Sequence, residues 1–264
     1  MIFVAYMLLG AIAGLLAGLF GIGGGVIVVP ALVLAFHLQG IAPEIVFYMA
    51  VATSLANIIF TSLSAIRTHH KKGAIEWFLV KPISVGMLLG SFLGVNTAVS
   101  IPAIYLQASF GGFAIFLSLR MMWSKPAQSE LQVPGSIGLG VTGAFIGWVS
   151  ALFGIGGGNL LVAWLSNRQL VMQKAVATAS ACGFAIAISG AITNGILGWN
   201  HVLLPQYSVG FIYLPALLGI VSTSFIAANY GAKLAHRLSA TMLKRLFAWM
   251  LLLVGLRMLT SVWF

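Results

Sequence analysis

Long apolar stretches dominate this chain and restrict it to one kind of environment. A helix needs about 20 apolar residues to cross a bilayer, and most of these stretches reach that length. The chain is 61% hydrophobic and only 6% charged, whereas a soluble domain needs roughly a quarter charged residues. The sequence therefore predicts an all-α polytopic membrane protein. The apolar segments are 2–38, 44–66, 83–101, 103–123, 136–165, 175–197, 208–229 and 246–262.

The chain also contains an internal duplication. The motif LFGIGGG, with four glycines, occurs at 19–25 and again at 152–158. Beyond the motif the match resumes with AVAT at 50–53 and at 175–178, an offset of 125 residues. Such a match predicts two repeats within one integral membrane domain. They comprise residues 1–128 and 129–264.

The basic residues indicate how the segments are threaded. If all eight segments cross the membrane, the Lys and Arg residues divide evenly between the two sides. If each glycine-bearing segment instead doubles back as a hairpin, twelve of them fall on one side and only Arg257 does not. The positive-inside rule favours the second arrangement. It predicts two inverted repeats, each a glycine-broken hairpin plus three transmembrane helices, with cytoplasmic basic loops and both termini outside. The net charge of +10 then reflects topology, and nucleic acid is not expected as a partner.

The two motifs predict chain reversals inside the membrane. Glycine adopts positive φ easily and allows close approach, and a helix that restarts after a break offers free N–H donors and a partial positive charge. The breaks are therefore candidate anion cradles, although close helix packing would also favour glycine. Nucleotide motifs fit poorly, because Val26 or Asn159 stands where those motifs require glycine or lysine. The candidate binding glycines are Gly21, Gly23, Gly24, Gly25, Gly154, Gly156, Gly157 and Gly158.

Polar side chains within the apolar segments are further candidates, since each needs a structural or functional partner. Hydroxyl groups have an alternative, because Ser and Thr in helices often bond the carbonyl four residues earlier. Arg67 could attract anions to the cytoplasmic mouth or anchor the helix among headgroups. His69 could carry a coupling proton or simply lie in a hydrated loop. The polar binding candidates are Thr53, Asn57, Arg67, Asn159, Thr178 and Asn194.

The doubled GLFGIGGG pattern, the AVATS sequence that opens the next helix, and IRTHHKKGAIEW after it resemble the sulfite exporter TauE/SafE family. This family is also called the toluene sulfonate uptake permease family. The resemblance covers nearly the whole chain and extends to GFIYLPALLG and GAKLAHRL. It implies a multi-pass carrier in the bacterial inner membrane for small sulfur-containing or organic anions, such as sulfite or an organosulfonate.

The sequence is compatible with three functions: a secondary carrier, an anion channel or uptake permease, and an intramembrane enzyme. The enzyme is disfavoured, because the sequence contains no HExxH motif and no catalytic residues are predicted. The three acidic residues lie at segment ends or in loops, so a carrier without coupling, or coupled through histidine or backbone carbonyls, is expected. No cofactor or metal is predicted; the expected partners are the anion and the lipid bilayer, and a homo-oligomer is left open.

Overall fold

In the computed structural model the described residues are 2–20, 24–123, 134–168, 170–235 and 240–260. They form ten helices and one small antiparallel hairpin, which confirms the predicted all-α membrane architecture. The elements are α1 (Ile2–Phe20), α2 (Gly25–Leu38), α3 (Pro43–Lys71), α4 (Trp77–Val99), α5 (Ala103–Trp123), α6 (Ser136–Leu152), α7 (Gly158–Ser166), α8 (Met172–Leu197), β1 (Ser208–Val209), β2 (Ile212–Tyr213), α9 (Leu214–Ala235) and α10 (Ala240–Thr260).

Four of the described helices, α3, α4, α5 and α8, are long and apolar enough to cross a membrane. Helix α3 continues beyond the predicted end at Ile66 to Lys71, because a helix can leave the hydrocarbon without losing its backbone hydrogen bonds. The predicted segment 208–229 begins differently. It opens with β1 and β2 around a turn in which Gly210 has φ of 55°, and α9 begins only at Leu214.

The first glycine-bearing segment doubles back, as the charge distribution predicts. The Gln39 amide, one residue beyond α2, donates a 2.6 Å hydrogen bond to the hydroxyl of Tyr6 near the start of α1. The ring of Tyr6 also packs edge-on against Phe36 near the end of α2, with centroids 6.5 Å apart. The beginning and the end of residues 2–38 therefore lie together, which confirms the hairpin.

Helices of one half of the chain pack against helices of the other half. Helix α1 packs along α9, and α6, which aligns with α1, packs along α4. At each crossing a glycine of one half lies directly against the backbone of the other half. The contacting pairs are Gly10 with Ile220, Gly14 with Ser224, Gly143 with Ile83, and Gly147 with Met87. These glycines serve close packing.

Helices α3 and α8 form the centre of the molecule and run antiparallel. Glu76, just beyond the end of α3, donates its backbone N–H to Thr178 near the start of α8. At the other end, the ring of Tyr48 near the start of α3 lies 5.5 Å from the ring of Phe211. The Phe211 N–H in turn bonds the carbonyl of Asn194 near the end of α8.

Helices α5 and α10 also run antiparallel. Gln107 on α5 donates to the carbonyl of Met258 at 3.5 Å, and Ser118 donates to the carbonyl of Ala248 at 2.7 Å. Helices α3 and α8 occupy equivalent positions in the two halves, and so do α5 and α10. In both pairs the equivalent helices therefore pack antiparallel to each other.

Candidate functional site

Both LFGIGGG motifs interrupt helices. Helix α1 ends at Phe20 and α2 begins at Gly25, while α6 ends at Leu152 and α7 begins at Gly158. The residue before each new helix is a left-handed glycine, Gly24 with φ of 77° and Gly157 with φ of 68°. Positive φ explains the choice of glycine at these positions. Gly21 and Gly23 lie outside the described residues.

The two breaks contact each other beside the middle of α3. A Cβ atom placed on Gly25 would lie 2.5 Å from the Gly154 carbonyl oxygen and 3.0 Å from the Ile58 side chain. A Cβ on Gly156 would also lie 3.0 Å from Ile58. Since α3 spans Pro43–Lys71, Ile58 marks its centre. The structure thus brings together two segments that are 133 residues apart in sequence.

The glycines of the second break are also packed tightly. A Cβ on Gly154, whose φ is 66°, would lie 2.8 Å from Val29 and 2.9 Å from the backbone of Val51. A Cβ on Gly157 would lie 2.5 Å from Ile186 on α8. Close packing against the Val51 backbone therefore favours glycine at 154, and the positive φ favours it at both positions, whatever else the break does. The Gly154 carbonyl receives a 2.9 Å hydrogen bond from the buried Ser54 hydroxyl.

The second break leaves a run of backbone donors free. In the described part of the chain, no hydrogen bond is made by the N–H groups of residues 156–160, and the first backbone bond of α7 is from Leu161 to Gly157. At the first break the described N–H groups without a partner are those of residues 24–26, since Ile27 and Val28 both bond Gly24. Consecutive free N–H groups at a helix start are suited to binding an anion.

Three side chains near the second break carry buried polar atoms without a hydrogen-bond partner among the described residues. These atoms are the Ser150 hydroxyl, both polar atoms of the Asn159 amide, and the Asn57 amide oxygen. Ser150 is 0% and Asn57 is 2% exposed. Asn57 directly precedes Ile58, whose side chain lies against Gly25 and Gly156, and it follows Thr53 and Ser54 by about one turn of α3.

Two of the predicted binding residues, Thr53 and Thr178, hold equivalent positions in the two halves and make equivalent bonds. The Thr178 hydroxyl accepts a 3.1 Å hydrogen bond from the backbone N–H of Glu76, directly before α4. The Thr53 hydroxyl accepts one of 3.1 Å from Tyr213, directly before α9. Both threonines are fully buried. Each central helix thus fixes the start of a neighbouring helix. The sequence predicted that these hydroxyls bind a ligand or bond a carbonyl of their own helix, and it did not predict this contact.

The remaining candidates lie away from the breaks. The Asn194 amide is buried and donates to the carbonyl of Gly190 at 2.8 Å, a bond within α8. Arg67 is exposed and stands nine residues beyond Ile58, about 13 Å along the helix. His69 is half-buried two residues further on. The structure therefore places the described glycines of the motifs near Asn57 and Asn159, and Arg67 and His69 at the far end of α3.

Two polar residues at the second break, Ser54 and Ser150, are not among the binding residues predicted from the sequence. The sequence signal for both is a difference between the repeats. The alignment pairs Ser150 with Ala17 and Ser54 with Ala179. A hydroxyl present in one half and absent from the other marks a place where the two halves differ in chemistry.

Charged groups occupy the ends of the helices rather than the breaks. Lys174 at the start of α8 and Glu76 before α4 form an ion pair of 2.6 Å, with both side chains partly exposed. Arg168 lies over the ring of Trp164 at 3.9 Å. Among the described residues, no three His, Cys, Asp or Glu side chains are grouped so as to hold a metal ion.

These features define a class of protein. A helical membrane protein in which two interrupted helices meet beside the central spans has the build of a membrane transporter. The chain belongs to the sulfite exporter TauE/SafE family, whose model matches residues 6–258. No solved structure matches it significantly.

Relatives from distant organisms align over nearly the whole chain. A "probable membrane transporter protein" of Haemophilus influenzae is 34% identical over 253 residues, which cover 96% of each chain. The Bacillus subtilis "probable membrane transporter protein YunE" is 26% identical, with 98% of each chain covered. One of Methanocaldococcus jannaschii, MJ0441, is 29% identical and covers 96% of this chain and 94% of its own. Their names describe membrane transporters and not enzymes.

Proposed function

We propose that this protein is a secondary transporter that exports a small sulfur-containing or organic anion, such as sulfite or an organosulfonate. The observation that carries the proposal is the contact between the breaks, where Gly25 lies against Gly154 beside the middle of α3. Unpartnered N–H groups at this depth supply anion donors where a bilayer offers none. Membership of the sulfite exporter family gives the substrate class.

The proposal treats residues 1–128 and 129–264 as inverted repeats. Its support is the antiparallel course of the helices that align with each other, α3 with α8 and α5 with α10. If α3 and α8 both span the membrane, they cross it in opposite directions. Transporters built this way bind substrate near the midplane, where the repeats meet.

The proposed location is the inner membrane, with the Lys- and Arg-rich loops in the cytoplasm and both termini outside. In that orientation an anion moving outward follows the membrane potential, which contributes about 2.3 kcal/mol per charge per 100 mV. Export of an anion without a coupled ion is therefore favourable. This agrees with the position of Glu44 and Glu76 outside the centre of the spans.

The apolar cover of the breaks favours a carrier over a channel. Side chains of Ile58 and Ile186 lie against the glycines, and both residues are buried. An anion that approaches the free N–H groups from the side of these isoleucines has to displace them. A site that opens through movement binds and releases one solute at a time, which is the behaviour of a carrier.

The test is sulfite counterflow in proteoliposomes. Vesicles preloaded with unlabelled sulfite should accumulate labelled sulfite transiently above equilibrium, and vesicles without protein should not. Sulfite conductance without counterflow would replace the carrier by a channel, and no movement of sulfite, methanesulfonate or sulfoacetate would overturn the proposal.

A pair of variants tests the role of the break in this assay. Gly157→Ala adds a methyl group where φ is 68° and should reduce counterflow at least tenfold in protein that still inserts. Gly112→Ala, on α5 with nothing within 4 Å of its new methyl group, is the matched control and should transport normally. Normal transport by Gly157→Ala would show that the second break is not needed for transport.

A further inference from the structure

The two breaks are equivalent in sequence but differ in their polar side chains. Ser150 and Asn159 of the second break align with Ala17 and Val26 of the first. On α3, Ser54 bonds the Gly154 carbonyl of the second break and Asn57 precedes Ile58, which packs against Gly156. Ser54 and Asn57 align with Ala179 and Cys182 on α8. Polar side chains from both halves, Ser54 and Ser150, therefore lie at the second break, whereas the residues aligned with them, Ala179 and Ala17, carry no polar side-chain atom.

The polar side chains at the second break are arranged for a ligand. The Ser150 hydroxyl is fully buried, lacks a partner, and lies 3.3 Å from the place that a Cβ on Gly157 would occupy. Its hydroxyl therefore points at the break. The Asn57 and Asn159 amides hold further unpartnered buried atoms, and burying polar atoms without partners is costly. Together with the free N–H groups of residues 156–160, they form a neutral set with both donors and acceptors.

Among the described residues of α2, α3 and α8, the basic side chains nearest in sequence to this set are Arg67, Lys174 and His37. Arg67 on α3 is nine residues beyond Ile58, and Lys174 on α8 is nine residues before Gly183, which contacts Gly156. His37 on α2 is twelve residues beyond Gly25. Nine residues correspond to about 13 Å along a helix. Each of these three residues therefore lies toward an end of its helix.

A neutral cradle in an apolar interior discriminates by charge. The Born cost of removing an ion from water rises with the square of its charge, so a dianion costs about four times as much to bury as a monoanion of the same size. Hydrogen-bond donors offset part of that cost, and the set contributes no full positive charge to offset the rest. The acceptor oxygens of Asn57 and Asn159 can accept a hydrogen bond from a singly protonated oxyanion, whereas an alkanesulfonate has no such proton and binds through the donors alone.

We infer that the second break, with Ser150, Asn57 and Asn159, is the single anion site, and that it selects a tetrahedral monoanion over a dianion. The ligand class is an alkanesulfonate or a singly protonated oxyanion. The first break then serves as the packing partner that closes the site from the other half. This inference rests on the proposed function, which requires an anion site at the breaks but specifies neither the break nor the charge.

The charge preference is tested by titrating purified full-length protein with methanesulfonate and with sulfate at equal ionic strength. Both probes are tetrahedral at sulfur and differ in charge. Methanesulfonate should bind with a Kd at least tenfold below that of sulfate. Equal or tighter binding of sulfate would overturn the monoanion site and leave the proposed function standing. If neither probe nor sulfite binds, the proposed function falls with it.

The location is tested with variants that copy the first half of the chain. Ser150→Ala and Asn159→Val introduce the residues found at the aligned positions, and each should weaken methanesulfonate binding at least tenfold. Because each also removes unpartnered buried atoms, the ligand-free protein should melt at an equal or higher temperature, which distinguishes a binding role from a structural one. If Asn159→Val fails to fold, the smaller change Ser150→Ala decides.

The matched control is Ser224→Ala. The Ser224 hydroxyl is also buried and unpartnered, but it lies on α9 where that helix packs against Gly14. Its removal should leave methanesulfonate binding unchanged. Wild-type binding by both Ser150→Ala and Asn159→Val, or an equal loss in Ser224→Ala, would contradict the assignment of the second break as the site.

Discussion

The Ser54 hydroxyl on α3 donates a 2.9 Å hydrogen bond to the carbonyl oxygen of Gly154 in the second break. Both groups are buried where the helix is interrupted, so the carbonyl has no helical donor of its own. Water is scarce at such a depth, and an unpaired buried polar group costs about 1–3 kcal/mol. Ser54 therefore stabilises the interruption from the opposite half of the chain.

Replacing this serine should destabilise the protein. We expect Ser54→Ala to lower the free energy of unfolding by about 1–3 kcal/mol, because it leaves the Gly154 carbonyl unpaired. For a chain of this size each kcal/mol corresponds to about 2–4 °C in melting temperature, measurable by thermal unfolding in detergent. Thr68→Ala is the control, since the exposed Thr68 hydroxyl bonds only Ser64 of its own helix. An equal shift in the two variants would show that the Gly154 bond has no special weight.

The threonines of the repeated AVAT sequence should contribute equally to stability. Thr53→Val and Thr178→Val each remove the fully buried hydroxyl that accepts a backbone N–H bond, from Tyr213 or from Glu76. Each should lower the unfolding free energy by about 1–2 kcal/mol. Because the two bonds share no partner, the double variant should show the sum of the single effects. Unequal or strongly non-additive melting shifts would contradict the equivalence of the two bonds.

The sequence predicted where the helices and their interruptions lie better than it predicted which helices pack together. Segment length and the doubled LFGIGGG motif were sufficient for the spans, for the interruptions and, with the basic residues, for the hairpin of residues 2–38. The packing between helices of the two halves was not predictable, because α1 and α6 are apolar on most faces and such a surface does not select one neighbour. The strands before α9 were missed because the apolar residues of 208–213 continue those of the helix.

The candidate site was predicted in part for a related reason. Glycine and asparagine at a break indicate a ligand from their chemistry alone, and the structure places Asn57 and Asn159 there. The role of the Thr53 and Thr178 hydroxyls cannot be read from the sequence in this way, because each accepts a hydrogen bond from a backbone N–H that lies far away in the chain. Only the fold brings Thr53 to Tyr213, which is 160 residues away.

The small residues between α4 and α6 should be intolerant of added volume. A methyl group on Gly90 would overlap the carbonyl of Ala144, and neither backbone can yield without separating the helices. We expect Gly90→Ala to cost about 2 kcal/mol or more, as overpacking does, seen as a lower melting temperature and a lower yield of monodisperse protein. Gly112→Ala on α5 meets open space and should be neutral or stabilising, since alanine favours helix. A Gly90→Ala protein as stable as the wild type would mean that α4 and α6 pack less closely.

The topology is testable by cysteine labelling. Lys72 and Val202 are both exposed, Val202 by 94%, and they follow the ends of α3 and α8, which run antiparallel. In a Cys182→Ala background, an impermeant maleimide added to intact cells should label Val202→Cys, and Lys72→Cys only after the membrane is permeabilised. The physical reason is that the Lys72 loop carries the positive charge that is retained in the cytoplasm. Labelling of both cysteines from one side would exclude inverted repeats, and labelling with the sides exchanged would reverse the orientation while keeping the inversion.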